Sequence, residues 1–229
     1  MTRHAREVSH FSRIFLEQLW ILCFPIMSDR HLIIFLKAPR EGLVKTRLAA
    51  GMGPAAALHA YERLVETLLE GLTTLDRVEL RFAPDDAAGE VARWLRNGWC
   101  SRAQGTGDLG ERLCRAFRDA FASGARRVVV IGSDCPDVAA ADIEAAWVAL
   151  ATHDVALGPA TDGGYWLIGL RELDEAVFRG IHWSTGSVLE ETLAICRRRG
   201  LSVHRLRELS DVDAAEDWRR FLETKRGLP

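Results

Sequence analysis

The sequence predicts a single α/β domain built on a mostly parallel sheet, with helices layered over both faces, and three observations carry that expectation. His31 to Leu36, H-L-I-I-F-L, is a continuous apolar run, the pattern of a strand buried on both faces. Arg127 to Ile131, R-V-V-V-I, is a second such run, rich in β-branched residues. Between and beyond them strand-like and helix-like stretches alternate, which specifies parallel strands joined by crossover helices.

The elements follow in order. After the first strand and a loop, Pro54 to Leu72 places Ala57, Leu58, Tyr61, Leu64, Val65, Leu68 and Leu69 at helical spacing, so an amphipathic helix packs on the sheet. Arg77 to Ala83 reads as a strand, Asp86 to Arg96 as a helix and Trp99 to Gln104 as a short strand. A helix from Leu109 to Ala122 leads into the Arg127 run. Then come a helix from Ala140 to Ala151, strands at Val155 to Leu157 and Tyr165 to Leu170, a helix from Gly186 to Arg199, and a final helix containing Trp218 and Phe221. No repeat or low-complexity tract interrupts the series.

A length of 229 residues suits one domain, and no internal stretch reads as a linker. Hydrophobic residues at 48% and charged residues at 27% exclude a disordered or membrane-embedded chain. The 30 basic and 32 acidic side chains are interspersed, so no cationic field is available for nucleic acid and a small-molecule substrate is expected. Five cysteines without a C-x-x-C pair argue against a disulfide framework and a structural zinc site, and point to a reducing, cytoplasmic setting. The apolar stretch Phe15 to Ile26 is interrupted by Glu17 and Gln18, is too short to span a bilayer, and precedes no small-residue cleavage site. Met27 opens directly before the first strand. Residues 1–26 are therefore expected to be an extension outside the fold, and residues 27–229 the domain.

In open α/β sheets ligands bind beyond the carboxyl ends of the strands, so function is sought there. After the first strand, Lys37, Arg40, Lys45 and Arg47 surround Gly42, a combination suited to phosphate: glycine lets the backbone approach an anion and the cations donate charge-assisted hydrogen bonds. A solvated basic loop is the plain alternative. G-x-x-x-x-G-K-[ST] is absent, which removes support for a P-loop kinase or ATPase. After Ile131, Gly132-Ser133-Asp134-Cys135-Pro136-Asp137 puts Asp134 where a carboxylate can hold Mg2+ or Mn2+, hard cations that take oxygen ligands. Helix capping is the alternative, and it suits Asp137 better than Asp134. Near the end, Asp211 and Asp213 precede the last helix, and one of them is a candidate to complete the metal site; Asp213 as N-cap with Glu216 closing a capping box is the structural reading.

Gln104-Gly105-Thr106-Gly107-Asp108 sets two glycines before a helix, where backbone donors can face a nucleotide. Asp108 with Glu111 is equally a capping box. Asp162-Gly163-Gly164 is a tight turn beside Tyr165 and Trp166, with Asp162 a candidate general base or hydroxyl acceptor. His182-Trp183-Ser184-Thr185 precedes a helix, and capping by a hydroxyl outranks catalysis there.

Taken together, F-L-K-A-P-R-E-G-L-V-K-T-R-L, Q-G-T-G-D-L-G-E-R-L, V-V-V-I-G-S-D-C-P-D, G-P-A-T-D-G-G-Y-W-L-I-G-L, I-H-W-S-T and the late D-V-D resemble the small glycosyltransferase-A-like (GT-A-like) proteins labelled arsenosugar-biosynthesis or radical-SAM-associated glycosyltransferases. The resemblance runs from about Leu32 to Asp217. It implies the nucleotide-diphospho-sugar transferase fold, a three-layer α/β/α arrangement. It further implies nucleotide binding by the Lys37 to Arg47 and Gln104 to Asp108 loops, and metal ligation by Asp134 and Asp213. The chain departs from the glycosyltransferase D-x-D, since Cys135 and Pro136 follow Asp134. The expected function is metal-dependent transfer of a sugar from a nucleotide-sugar to a small acceptor, with Asp162 on the acceptor side. Nucleotidyl transfer with pyrophosphate release is the alternative, weakened because the pyrophosphorylase G-G-x-S-x-R is missing after the first strand. A non-catalytic nucleotide-binding module is the third reading, opposed by the retained Asp134, Asp162 and Asp213.

Overall fold

The structure, a computed structural model, describes residues 29–226, so the 1–26 extension read from the sequence lies outside the described residues. One seven-stranded sheet has the order β3-β2-β1-β4-β6-β5-β7. Its strands are β1 (Arg30–Lys37), β2 (Val78–Ala83), β3 (Cys100–Ala103), β4 (Arg127–Ile131), β5 (Val155–Pro159), β6 (Tyr165–Leu170) and β7 (Val203–Arg205). Only β6 runs against its neighbours, β4 and β5, and the other strands share one direction. The expected mostly parallel sheet is therefore present. The antiparallel strand arises because a five-residue turn joins β5 to β6, too short for the crossover that a parallel pair needs.

The helices are α1 (Thr46–Met52), α2 (Pro54–Gly71), α3 (Ala88–Val91), α4 (Leu109–Ala122), α5 (Ala140–Ala149), α6 (Val188–Arg199) and α7 (Ala215–Arg226). Alternation along the apolar strands feeds two cores. Leu32, Ile34, Leu36, Val129 and Ile131 pack under α2 and α5, while Ile33, Val128 and Val130 pack under α4 and α6 with Phe117 and Cys196. Three layers result because both strand faces are apolar and each needs a helical cover. No helix among the described residues is long and apolar enough to cross a membrane.

Several boundaries differ from the sequence expectation. The helix expected over Asp86 to Arg96 is reduced to α3 and a 3-10 turn, Ala92–Trp94, because the tighter winding buries both Val91 and Trp94 in the α2-side core. Helix α6 begins at Val188 rather than Gly186, and β5 continues to Pro159. Three elements were not expected, one of them a 3-10 turn at Glu175–Phe178. Helix α1 is seven residues long with only Leu48 buried, too little to show a period, and β7 is a three-residue edge strand with no fully buried side chain.

A third cluster is smaller: Leu48, Ala57, Ala60, Leu64, Val212, Trp218 and Phe221 knit α1, α2 and α7 together. It anchors the last helix, and thereby the Leu209–Asp213 segment, at the carboxyl edge of the sheet.

Candidate functional site

Strand registers place the chemistry-bearing loops on one rim. Lys37 pairs with Ala83, Phe82 with Ala103 and Ile34 with Ile131, so the chain leaves β1, β2, β3 and β4 at the same edge. Ile131 also pairs with Leu167 of antiparallel β6, which brings the β5–β6 turn to that edge. The segment after β7 then runs along the rim: the Leu209 N–H donates to Pro159 O, the Thr161 N–H to Leu209 O and the Val212 N–H to Asp134 O at 3.0 Å. Remote parts of the chain are thus stitched together by backbone bonds before any side chain contributes.

Asp134 and Asp213 meet at this rim through Lys45. The Lys45 ammonium lies 2.6 Å from Asp134 Oδ1 and 3.0 Å from Asp213 Oδ1, and Arg47 is 3.7 Å from Asp213 Oδ2. The lysine side chain is only 4% exposed, whereas the two carboxylates are 46% and 40% exposed, so they form the solvent-facing wall and the ammonium the floor. Burial works to lower the Lys45 pKa, but the two carboxylates outweigh it and hold the ammonium above its usual value. Lys45 also has left-handed backbone, φ 47 and ψ 50, just before α1. A lysine gains nothing intrinsic there; such strain persists only where surrounding contacts impose it, and here those are the ion pairs.

The carboxylate of Asp213 is not an N-cap. The Asp213 and Ala214 N–H groups donate to Asp217 Oδ2, so Asp217, not Glu216, reaches back over the start of α7 and leaves Asp213 to the lysine. Nor does Asp137 cap α5: its carbonyl accepts from Arg207, and Asp142 accepts from the Ala139 N–H.

Asp211, weighed from the sequence with Asp213 as one of two acids that could complete the metal site, belongs to the cluster through Cys135 rather than through Lys45. Its Oδ1 accepts from the Cys135 thiol at 2.5 Å. Burial, opposed by that hydrogen bond and reinforced by the charges of Asp134, Asp162 and Asp213, pushes the Asp211 carboxyl up to about 6. In extended chain the two acids of D-V-D project to the same side, which is why both meet this rim. Tyr61, read as a core residue of α2, also reaches the rim, where its hydroxyl donates to Lys37 O and accepts from Lys37 N–H, both at 2.8 Å.

Asp162 sits in the β5–β6 turn, exposed, with Oδ1 accepting from the Gly164 N–H at 2.9 Å. Gly163 beside it has φ +88, and a Cβ there would lie 2.1 Å from Gly186 O, a backbone atom. Gly163→Ala is expected to destabilise the protein by about 1–3 kcal/mol and to displace Asp162; denaturant unfolding checks the first. Wild-type stability would mean that the two loops do not pack as described.

The basic loop divides. Lys37 and Arg47 have exposed side chains, and Gly42, φ +76, has open space around it. Arg40 instead clamps the next loop, with Nη2 2.9 Å from Asp86 and 2.6 Å from Glu90. The 104–108 loop is internally held. Gln104 is buried and donates to Leu36 O and Arg81 O, tying the ends of β1 and β2. Arg115 donates to Gln104 O and Thr106 O, Arg112 to Gly107 O, and the Gly105 N–H to Asp85. Asp108 and Glu111 form a reciprocal capping box on α4, the structural role weighed for them from sequence.

In the 182–187 segment neither Ser184 nor Thr185 caps α6. The cap position is Ser187, whose hydroxyl donates to Glu191, and Thr185 donates to His182 O. Glu191 gathers the His182 N–H, the His182 ring and Ser187, and these bonds, the backbone one foremost, lower its pKa to about 2. A carboxylate depressed in the folded state adds stability that is full above its unfolded value of 4.5 and is lost as pH falls toward about 2. Glu191→Gln is therefore expected to lower Tm at neutral pH, with the deficit shrinking as pH drops through 4.5; a deficit independent of pH would overturn this assignment. Nearby lies a cleft of about 500 Å3 lined by Glu111, Arg115, Phe178 and Trp183 among others, with none of Lys45, Asp134, Asp162, Asp211 or Asp213 in its walls. Its Arg118 and Arg179 pair with Glu175.

A family described as uncharacterized proteins conserved in bacteria, DUF2064, matches residues 69–185. A crystal structure of a provisionally assigned nucleotide-diphospho-sugar transferase from Desulfovibrio desulfuricans G20 superposes with a TM-score of 0.81 at 36% identity, covering 88% of this chain and 89% of that one. More distant are a cytidylyltransferase from Leptospira borgpetersenii, TM-score 0.53 at 10% identity over 88% and 89% of the two chains, and a nucleotidyl transferase from Methanothermobacter, TM-score 0.52 at 14% identity over 85% and 97%. These two share the fold. No curated protein matches the chain.

Proposed function

The chain belongs to the DUF2064 family of uncharacterized proteins conserved in bacteria, and from that premise we propose that it is a glycosyltransferase moving a sugar from a nucleoside-diphosphate sugar to a small-molecule acceptor. The carrying observation is that Asp134 and Asp213 converge on one cation position, 2.6 and 3.0 Å from the same ammonium, beside a loop of further cations. The 36% identical protein provisionally assigned as a nucleotide-diphospho-sugar transferase supports the substrate class. The narrower resemblance to arsenosugar-biosynthesis and radical-SAM-associated glycosyltransferases makes small acceptors the first to test. Free thiols at the four described cysteines suit a cytoplasmic setting.

The donor set fits Mg2+ or Mn2+. Among the described residues no three His, Cys, Asp or Glu side chains form a metal cage of their own, but two half-exposed carboxylates with substrate phosphates are a usual set for these ions. Asp134 and Asp213 would hold the ion, which when bound neutralises the diphosphate and stabilises the charge that develops on the leaving group. Lys45, kept charged by both carboxylates, is the group proposed to donate to a phosphate oxygen from the floor of the site. Lys37 and Arg47 have exposed side chains suited to the outer phosphate, and the open backbone at Gly42 admits close approach. Arg40 shapes the loop through Asp86 and Glu90, and Gln104, Gly105, Gly107 and Asp108 form a rigid wall for the nucleoside. Asp162, with Oδ1 fixed by Gly164, is the group proposed to take the acceptor hydroxyl proton on Oδ2.

Incubation with UDP-sugars or GDP-sugars and Mn2+, and separately with GTP or CTP and a sugar phosphate, tests the proposal. Release of a nucleoside diphosphate is expected. Pyrophosphate release would replace the proposal with nucleotidyl transfer, and nucleotide binding without either product would replace it with a non-catalytic module.

A further inference from the structure

The proposed metal-binding pair, Asp134 and Asp213, comes from remote parts of the chain, and something must hold the late segment against the β4 loop. Cys135 occupies the place where a D-x-D sequence continues past its first aspartate, and the residue is 2% exposed. It is 2.5 Å from Asp211 Oδ1, and a carboxylate facing a thiol can only accept the proton. Asp211 needs such a donor, because Asp134, Asp162 and Asp213 surround it with like charge. The adjacent Val212 N–H donates to Asp134 O, so the thiol bond and the backbone bond close a small ring between residues 134–135 and 211–212. Asp213 is the next residue, 3.0 Å from Lys45.

We infer that Cys135 is a positioning residue: its thiol latches Asp211 to the β4 loop and thereby sets the spacing of Asp134 and Asp213 across the cation site. The inference deepens the proposed function, and its first readout needs no substrate. Without the donor, Asp211 is repelled by three carboxylates, the 209–213 segment swings outward and Asp213 leaves Lys45. A purely packing role for Cys135 in the α2-side core makes the opposite demand, for volume rather than for a proton.

Two substitutions separate these demands. Cys135→Ser keeps a donor and shrinks the side chain, while Cys135→Val fills the space and removes the donor. By hydrogen-exchange mass spectrometry of the ligand-free protein, Cys135→Val is expected to speed exchange of the Val212 amide about 10-fold or more, and Cys135→Ser to leave it near wild type. In an Asp211→Asn background, where the repelled charge is gone, Cys135→Val should change exchange by less than about 2-fold. Wild-type exchange in Cys135→Val, or a larger effect from Ser than from Val, would overturn the latch. Affinity for UDP or GDP in the presence of Mn2+ should follow the same order; if exchange obeys it but the wild type binds neither nucleotide, the latch stands and the glycosyltransferase reading fails.

Discussion

Asp134→Asn is expected to lower Mn2+-dependent release of nucleoside diphosphate by about 1,000-fold, the scale associated with deleting a group that stabilises developing charge, while Tm changes little. The substitution removes charge and almost no volume. Asp134 contacts the ammonium of Lys45 at 2.6 Å, and Asp213 remains on that ammonium at 3.0 Å, so the buried lysine keeps a partner and the loop keeps its shape. Ion pairs with a half-exposed member contribute about 0–1 kcal/mol to folding, so stability and activity should separate. Turnover within about 3-fold of wild type, by the arithmetic relating rate to barrier, would remove Asp134 from the site. Loss of activity together with a large fall in Tm would instead assign Asp134 a structural role.

Arg81→Met is expected to have the largest effect on stability, about 3–5 kcal/mol by denaturant unfolding. Arg81 and Glu79 are both buried to within 1% on β2 and pair with one another; Arg81 also meets Asp119 of α4 at 2.8 Å, and His31 of β1 meets Glu79 at 3.3 Å. Burial pushes the Glu79 carboxyl upward, yet the hydrogen bond from His31 and the charge of Arg81 carry it below its usual value, so it remains ionised. Removing the guanidinium leaves that carboxylate in the sheet, away from water, with His31 as its remaining partner. Total stability of a domain is about 5–15 kcal/mol, so the loss approaches the threshold of folding. The double substitution Glu79→Leu with Arg81→Met should recover most of the deficit, because an apolar pair has no charge to desolvate. A single variant within about 1 kcal/mol of wild type, the typical effect of a point substitution, would show that the network is dispensable.

The fold was legible where one periodicity dominated a long enough window. Leu109 to Ala122 and Arg127 to Ile131 have the boundaries expected of them, because each is a run whose burial follows its own period. The Asp86 to Arg96 stretch was misread because Val91 and Trp94 satisfy a helix and a tighter turn equally well, and only the position of the core selects between them. Antiparallel β6 has the same apolar content as its parallel neighbours, so direction within the sheet was not written in composition. At the site, Asp134 and Asp213 were picked out by position and resemblance. Asp211 was weighed only as an alternative metal ligand and the donor role of Cys135 was missed, since nothing local distinguishes a buried thiol donor from a small core residue. Arg40 and Gln104 carried the right chemistry for phosphate and nucleotide, yet neighbouring loops already engage them.

By itself the sequence determined a layered α/β domain with acids and cations at the ends of its strands, because apolar period and strand-end position are properties of short windows. Only the tertiary structure decided which of those charges meet. Lys45 reaches Asp213 across 168 residues and Cys135 reaches Asp211 across 76, distances over which no local preference acts. Those encounters depend on the parallel register of β1 with β4 and on the packing of α7 against α1 and α2, which bring the Lys45, Cys135 and Asp213 segments to one edge.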